Sequence, residues 1–263
     1  DEHRSMSLAI ATAAGSLGQV VGPPVAVSLL SRMPWQSVFL FFAVAVISTI
    51  LLLPFMRVKS AASKEEIEES MGEILKLALR DPSFSMIFIG FFSCGYQLAF
   101  ITAHFPALVT EMSSPIDSTG WCGDLGIETT AALGGFAISV IGFSNIIGTL
   151  VAGWAGKRFG KKWLLSGIYA GRSIAATVFI MTPVSANSVL LFSFAMGFLW
   201  LATVPLTSGL VAHIYGLRYM GTLYGIVFFS HQLGSFIGVW LGGVLYLSLI
   251  HISEPTRLGM ISY

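Results

Sequence analysis

The sequence predicts an all-α protein, a polytopic bundle of transmembrane helices. Of its 263 residues, 55% are hydrophobic and only 10% are charged, whereas soluble domains carry about 25% charged residues. The mean hydropathy of +0.81 leaves too little polar surface for a water-soluble protein of this size. Residues 131–155 contain no charged side chain, and about 20 apolar residues are enough to cross a hydrocarbon core roughly 30 Å thick.

Seven segments are apolar and long enough to be membrane spans. The first is rich in Ala, Ser and Gly, and small residues allow helix backbones to approach closely in lipid. In chain order the seven segments are residues 6–30, 35–56, 84–108, 131–155, 163–181, 189–213 and 222–246. We therefore expect about seven transmembrane helices.

The long polar stretch between spans covers residues 57–83. Within it, residues 64–80 place a set of apolar side chains on one helical face, namely Ile67, Met71, Ile74, Leu75 and Ala78. We expect an amphipathic helix that lies at the cytoplasmic surface and links two halves of the protein. A plain solvated linker is the alternative.

Basic residues are present and absent in alternate loops, and this pattern predicts the orientation. Four of them cluster in the turn after residue 156, whereas residues 109–130 contain acidic side chains but no Lys or Arg. Because positively charged loops stay in the cytoplasm, we expect the basic turn inside and the acidic loop outside. Arg32 is the one exception to the alternation. The predicted location is the bacterial cytoplasmic (inner) membrane, in which the protein is integral.

The basic turn resembles a motif of the major facilitator superfamily of secondary transporters, G-x-x-x-D-R-x-G-R-R. The matching residues are Gly153, Arg158, Gly160, Lys161 and Lys162, and Lys157 replaces the acidic residue of the motif. Other segments are similar, in order along the chain, to helices of the oxalate/formate and monocarboxylate porter branch. These segments are residues 4–15, 90–97, 104–106, 199–200, 204–210 and 225–234.

The resemblance implies a partial major facilitator fold that contains helices five to eleven of twelve. Residues 1–56 correspond to the last two helices of the N-terminal half, residues 57–83 to the cytoplasmic linker with its amphipathic helix, and residues 84–246 to five helices of the C-terminal half. Residues 247–257 resemble a translated sequencing adaptor, so we expect residues 247–263 to be a non-native tail. A genuine periplasmic tail is the alternative.

Polar side chains at membrane depth are candidates for function, because each is costly in hydrocarbon unless it faces protein or water. The predicted substrate-binding residues are Gln97, His104, Asn145, Trp200, Thr203 and His231. Gln97 and Asn145 have the equal alternative of bonding across helices. His231 is either a proton carrier, given an ordinary pKa of about 6.5, or a neutral interhelical donor. Arg172 either binds a carboxylate through two parallel hydrogen bonds or has a structural role, in which it snorkels toward the cytoplasm or bonds to a structural partner.

These features together predict a secondary active transporter of a small organic solute, with carboxylates as one candidate class. Its expected partners are the lipid bilayer and the solute, with proton coupling left open, and not nucleic acid. We expect this fragment to be inactive alone. The alternative is a membrane sensor or scaffold that keeps the fold without transport. No loop gathers an acid, a base and a nucleophile, and two cysteines suggest no metal site, so we expect no enzymatic activity, metal or cofactor.

Overall fold

A computed structural model describes residues 4–51, 71–116 and 120–253, with side chains over 9–51, 72–116 and 120–246. Every regular element in these residues is a helix. In chain order they are α1 (Arg4–Leu30), α2 (Trp35–Ser48), α3 (Met71–Arg80), α4 (Pro82–Met112), α5 (Trp121–Asp124), α6 (Thr130–Arg158), α7 (Lys161–Met181), α8 (Ala186–Phe198), α9 (Thr203–Tyr215) and α10 (Met220–Ser253).

Six stretches of the described chain are helical, long and apolar enough to cross a membrane. They are Ala9–Leu30, Pro82–Met112, Thr130–Arg158, Lys161–Met181, Ala186–Tyr215 and Met220–Tyr246. The prediction of an all-α membrane bundle is therefore confirmed. The second of the seven expected spans appears as a shorter apolar helix, Trp35–Leu51, and its predicted end at residue 56 lies outside the described residues.

The sixth predicted span, residues 189–213, is not one continuous helix. Helix α8 ends at Phe198 and α9 begins at Thr203, so residues 199–202 form a helix break. Pro205 explains its position, because proline has no N–H for the carbonyl of Leu201 and its ring would clash with that carbonyl in an unbroken helix. Proline is tolerated in the first turn of a helix, and the chain resumes helical geometry just before it.

Other helix ends follow from local sequence. Asp81 precedes Pro82, and its carboxylate accepts the N–H of Ser83 at 2.8 Å, which starts α4. Ser185 and Ser188 form a reciprocal capping box at the start of α8. Gly216 ends α9 with a φ of 81°, a conformation that glycine adopts without the steric cost of a Cβ.

Helix α3 falls within residues 64–80, the segment predicted to form an amphipathic helix, and packs against α4. Ala78 is fully buried, and Ile74 and Leu75 pack against the same core, so these three residues share the buried side of α3. Ile67 and the side chain of Met71 lie outside the described residues. The face is covered by protein, at the point where the chain enters α4.

Helix α6 lies at the centre of the bundle, between α1 on one side and α4 and α8 on the other. Small residues allow its close contacts: a Cβ on Gly142 would lie 2.7 Å from the Cβ of Gln19 in α1. The second tight pair is α4 with α10, where Gly95, Gly234 and Gly238 leave no room for a side chain. These glycines serve helix packing.

The acidic loop after α4 is partly folded. It contains the short helix α5, and Cys122 within it is only 5% exposed. Residues 117–119 are outside the described part of the chain. At the other end, α10 continues to Ser253, so it includes the first residues of the predicted tail, and residues 254–263 are not described.

Candidate functional site

The helix break at residues 199–202 is held on one side by Arg172, near the middle of α7. Its Nε donates to the carbonyl of Leu199 at 3.0 Å, and its Nη2 donates to the carbonyls of Leu199, at 2.6 Å, and Trp200. Its Nη1 donates to the Sγ of Cys94 on α4 at 3.1 Å. Of the two alternatives for Arg172, the geometry supports the structural one, because this guanidinium is committed to backbone carbonyls.

The charge of Arg172 is fully buried, and none of these partners is a carboxylate. Its counterpart is the C-terminal end of α8, where unpaired carbonyls carry partial negative charge. The side chain also stacks against Tyr169, with the guanidinium carbon 5.7 Å from the ring centroid. A cation at a helix C-terminus is stabilised, so the buried guanidinium and the carbonyls of the helix break stabilise each other.

Asn145 of α6 holds the opposite side of the helix break. Its Oδ1 accepts the N–H of Leu201 at 2.9 Å and the hydroxyl of Thr149 at 3.1 Å. Its Nδ2 donates to Ser16 at 2.8 Å and to Gln19 at 3.5 Å, both on α1. Asn145 is fully buried with protein partners on both ends of its amide, which supports the interhelical alternative over direct solute contact.

Cys94 is a contact point for several polar groups in the bundle interior. Besides Arg172, it lies 3.6 Å from the Oγ1 of Thr203, the first residue of α9. His231 of α10 packs through its backbone against Gly95, the residue after Cys94, and its ring centroid lies 5.1 Å from that of Phe91 and 5.6 Å from that of Phe228. Helices α4, α7 and α9 thus meet through polar side chains beside the helix break, and α10 packs against α4 there.

Three buried polar atoms on α4 and α10 have no hydrogen-bond partner in the described structure: Oε1 of Gln97, the hydroxyl of Tyr224 and Nδ1 of His231. A buried polar atom without a partner costs about 1–3 kcal/mol, so native proteins rarely keep one without a reason. A bound solute that donates or accepts hydrogen bonds would remove this cost. These atoms are the polar groups still free for such a role.

Gln97 and His104 line a cavity of about 320 Å³ between α4, α7 and α8, with Arg172 also in its wall. The rest of its lining is apolar and largely aromatic, including Phe100, Phe105 and Phe179. His104 itself is hydrogen-bonded through Nε2 to the carbonyl of Val239 at 3.1 Å. Gln97 thus lines this cavity with a buried oxygen that has no partner in the described structure, and Tyr96 adds a hydroxyl to the lining.

The six predicted substrate-binding residues do not line a single cavity. Trp200 is 3% exposed and belongs to the hydrophobic core, while Thr203 is fully buried against Cys94. Gln97 and His104 share the cavity, Asn145 faces α1, and His231 lies in an aromatic environment on α10. What unites most of them is contact with the helix break or with its neighbours.

The basic turn joins α6 to α7 at one end of the bundle. Arg158 ends α6, Gly160 caps α7, and Lys161 is its first residue, while Gly153 is buried within α6. Lys157 and Lys162 are exposed. Two aromatic rings accompany the charges: Arg158 lies over Trp154 at 4.6 Å, and Lys162 over Trp163 at 5.5 Å.

At the same end of the bundle, Asp81 connects the start of α4 to the end of α9. The hydroxyl of Tyr215 donates to its carboxylate at 2.5 Å. This bond, together with the Ser83 backbone N–H, holds the pKa of Asp81 below its ordinary value. The ring of Tyr215 also meets Phe84 edge-on at 5.8 Å.

Sequence reasoning did not identify Cys94, Tyr224 or the α1 partners of Asn145 as site residues. Tyr224 had a usable signal: it precedes His231 by two helical turns, so both lie on one face of α10. Cys94 had the weaker signal of a polarisable side chain three residues before Gln97. Ser16 had none, since small residues fill its whole span.

Comparison with known proteins places this arrangement in context. The sequence profile of the Major Facilitator Superfamily matches residues 1–239. An uncharacterised MFS-type transporter of Bacillus subtilis (strain 168), YcxA, is 25% identical over 256 residues. That alignment covers 94% of the present chain but 58% of the relative.

Proposed function

This chain belongs to the Major Facilitator Superfamily, and from that premise we propose that it serves secondary active transport of a small organic solute across the inner membrane of a bacterium. The mechanism that we propose is alternating access between two helical halves. The observation that carries the proposal is the interrupted span, α8 and α9, with buried polar groups of three other helices around its break. Discontinuous helices at mid-membrane are typical of solute sites in secondary transporters. Because the chain spans 58% of the length of its relative, the proposal concerns the full-length gene product.

The solute contacts that we propose are Gln97, Tyr224 and His231. Each has a buried polar atom without a partner, and a solute hydroxyl, amide or carboxyl group would satisfy it. Asn145 and Arg172 belong instead to the supporting structure, because their polar atoms are already bonded. The solute path would run among α4, α6, the α8–α9 span and α10.

A carboxylate solute is the class that the porter-branch resemblance suggests. Arg172 is a poor partner for it, since at least three of its N–H groups are directed at carbonyls and another at Cys94. Protonated His231 would supply a positive charge instead, and binding would then carry a proton along with the anion. Proton coupling and carboxylate preference thus rest on the same side chain.

The test is uptake into proteoliposomes that contain the full-length gene product, with and without an imposed proton gradient. The solute panel consists of labelled mono- and dicarboxylates and of neutral amide analogues of matched size. We expect saturable uptake of at least one solute, and faster uptake of carboxylates when the outside is acidic. Uptake by a folded protein of no solute in a broad panel would favour the sensor or scaffold alternative.

Matched variants test the assignment of the contacts. His231→Ala and Gln97→Ala should each reduce uptake about 5- to 160-fold, because a lost hydrogen bond to a buried polar group is worth about 1–3 kcal/mol. Gln232→Ala is the control, since Gln232 is exposed on the same helix and should transport normally. Normal uptake by both His231→Ala and Gln97→Ala would refute these contacts.

A further inference from the structure

Asn145 joins two parts of the protein that must move relative to each other if transport alternates. One end of its amide is bonded to Ser16 and Gln19 on α1, and the other accepts the N–H of Leu201 in the helix break. We propose that Asn145 is a positioning residue that couples the position of α1 to the conformation of the helix break. This inference rests on the proposed transport function and adds to it a connection between the two helical halves.

The surroundings of Asn145 leave it little freedom. Asn145 and Ser16 are 0% and 2% exposed, so no water competes easily for the bond between them. One turn earlier on α6, Gly142 lies directly against the backbone of Gln19 and Val20. A Cβ there would be 2.9 Å from the N of Val20, so α1 and α6 touch at this depth. Contact this close permits tilting about the crossing point but little separation.

The helix break is anchored differently on its two sides. Arg172 holds the carbonyls of Leu199 and Trp200 to α7, whereas Asn145 holds the N–H of Leu201 to α6 and, through its own Nδ2, to α1. When α1 tilts, the Ser16 bond either rotates the amide of Asn145 or breaks. A rotated amide no longer presents Oδ1 to Leu201, and the backbone of the break is free to change.

Single substitutions separate this coupling from a packing role. Ser16→Ala removes the nearer of the two α1 acceptors, at 2.8 Å against 3.5 Å for Gln19, and leaves the bond between Asn145 and Leu201 in place. Thr149→Val is the matched control, because it removes the other bond to Oδ1, which lies within α6, and keeps both bonds across the coupling. Loss of one neutral hydrogen bond shifts a conformational equilibrium roughly 2- to 10-fold, which sets the size of the expected change.

In uptake assays we expect Ser16→Ala to change the turnover number by roughly 2- to 10-fold with KM unchanged, and Thr149→Val to leave the turnover number unchanged although it also removes one hydrogen bond of Asn145. A purely structural role would instead lower the melting temperature and the folded amount of both variants without separating turnover from KM. Equal turnover in the Ser16→Ala and wild-type proteins would overturn the proposal.

A second measurement does not depend on transport. Double electron–electron resonance measures the distance between α1 and α9, the helix that follows the break. The spin labels replace Leu17 on α1 and Ile214 on α9, which are 55% and 41% exposed. Ser16→Ala should broaden or shift the distance distribution, and Thr149→Val should not. An unchanged distribution in Ser16→Ala would refute the coupling. Absence of uptake by the wild-type protein together with a shifted distribution would refute only the transport function.

Discussion

Gly148 on α6 gives the most direct test of the packing around the helix break. A Cβ at this position would penetrate the backbone carbonyl of Phe198, the last residue of α8. A backbone group cannot rotate away as a flexible side chain can, so Gly148→Ala must push α6 and α8 apart. The chain also offers a control: Gly225 on α10 has no atom within 4 Å of its Cβ position.

Three contributions determine how far Gly148→Ala changes the free energy of unfolding. Overpacking a well-packed interior costs about 1–3 kcal/mol. Moving α8 away stretches the bond from Leu201 to Asn145, which is worth about 0.5–1.5 kcal/mol. The higher helix propensity of alanine returns about 1 kcal/mol. We therefore expect Gly148→Ala to lower the free energy of unfolding by about 0.5–3.5 kcal/mol, whereas Gly225→Ala should leave it unchanged or raise it by up to about 1 kcal/mol.

The assay is unfolding of the purified protein in detergent, followed by tryptophan fluorescence during a denaturant titration. Wild type, Gly148→Ala and Gly225→Ala are compared at equal protein and detergent concentrations. If Gly148→Ala were as stable as wild type, α6 and α8 would not meet at this distance. The described position of the helix break would then be wrong.

Three further predictions concern Arg172, Asp81 and the orientation. Arg172→Lys should lower the free energy of unfolding by about 1–3 kcal/mol, because an ammonium group cannot reproduce the forked bonds to two carbonyls; unchanged stability with weaker solute affinity would make Arg172 a ligand instead. The bond from Tyr215 stabilises ionised Asp81 in the folded protein. Its contribution to folding stability is therefore present above the unfolded-state pKa of 3.8, and this stability is lost as the pH falls through the lower folded-state pKa. The melting temperature of Tyr215→Phe should therefore be lower than that of wild type at neutral pH, and this difference should disappear at a pH below both pKa values of Asp81. A difference in melting temperature that is independent of pH would contradict this. A membrane-impermeant thiol reagent should label Leu125→Cys in intact spheroplasts, whereas Phe159→Cys, in the basic turn, should be labelled only after the membrane is disrupted. The reverse labelling pattern would show that the orientation is opposite to the predicted one.

Much of the fold was predictable because its causes are local in sequence. Runs of apolar residues delimit the spans, and the capping residues Asp81 and Ser185 start their helices as side-chain chemistry requires. Pro205 lies in the sixth span, and a proline within a helix favours a break; the helix break lies just before it. Its extent over four residues was not predictable, since that depends on whether other helices supply partners for the freed backbone groups.

The site was less predictable, because contacts between distant residues depend on how each helix is rotated and tilted. Arg172 bonds to Cys94, 78 residues earlier in the chain, and Asn145 bonds to Ser16, 129 residues earlier. Counting residues along each span predicts that Asn145 and Arg172 lie near mid-membrane. The depth of a residue, however, does not determine which neighbouring helix its side chain faces. Sequence alone therefore could not separate the groups that support the helix break from those left free for a solute.

The pairing of Arg172 with the helix break also bears on how the protein is made. An arginine at the centre of a nascent helix costs about 2.5–3.5 kcal/mol during insertion, and the carbonyls of Leu199 and Trp200 that neutralise this cost are synthesised 27 and 28 residues later. Helix α7 is therefore an incomplete unit when it reaches the translocon. We expect it to be retained there until α8 emerges, so that the two helices enter the lipid as a hairpin with the guanidinium already paired.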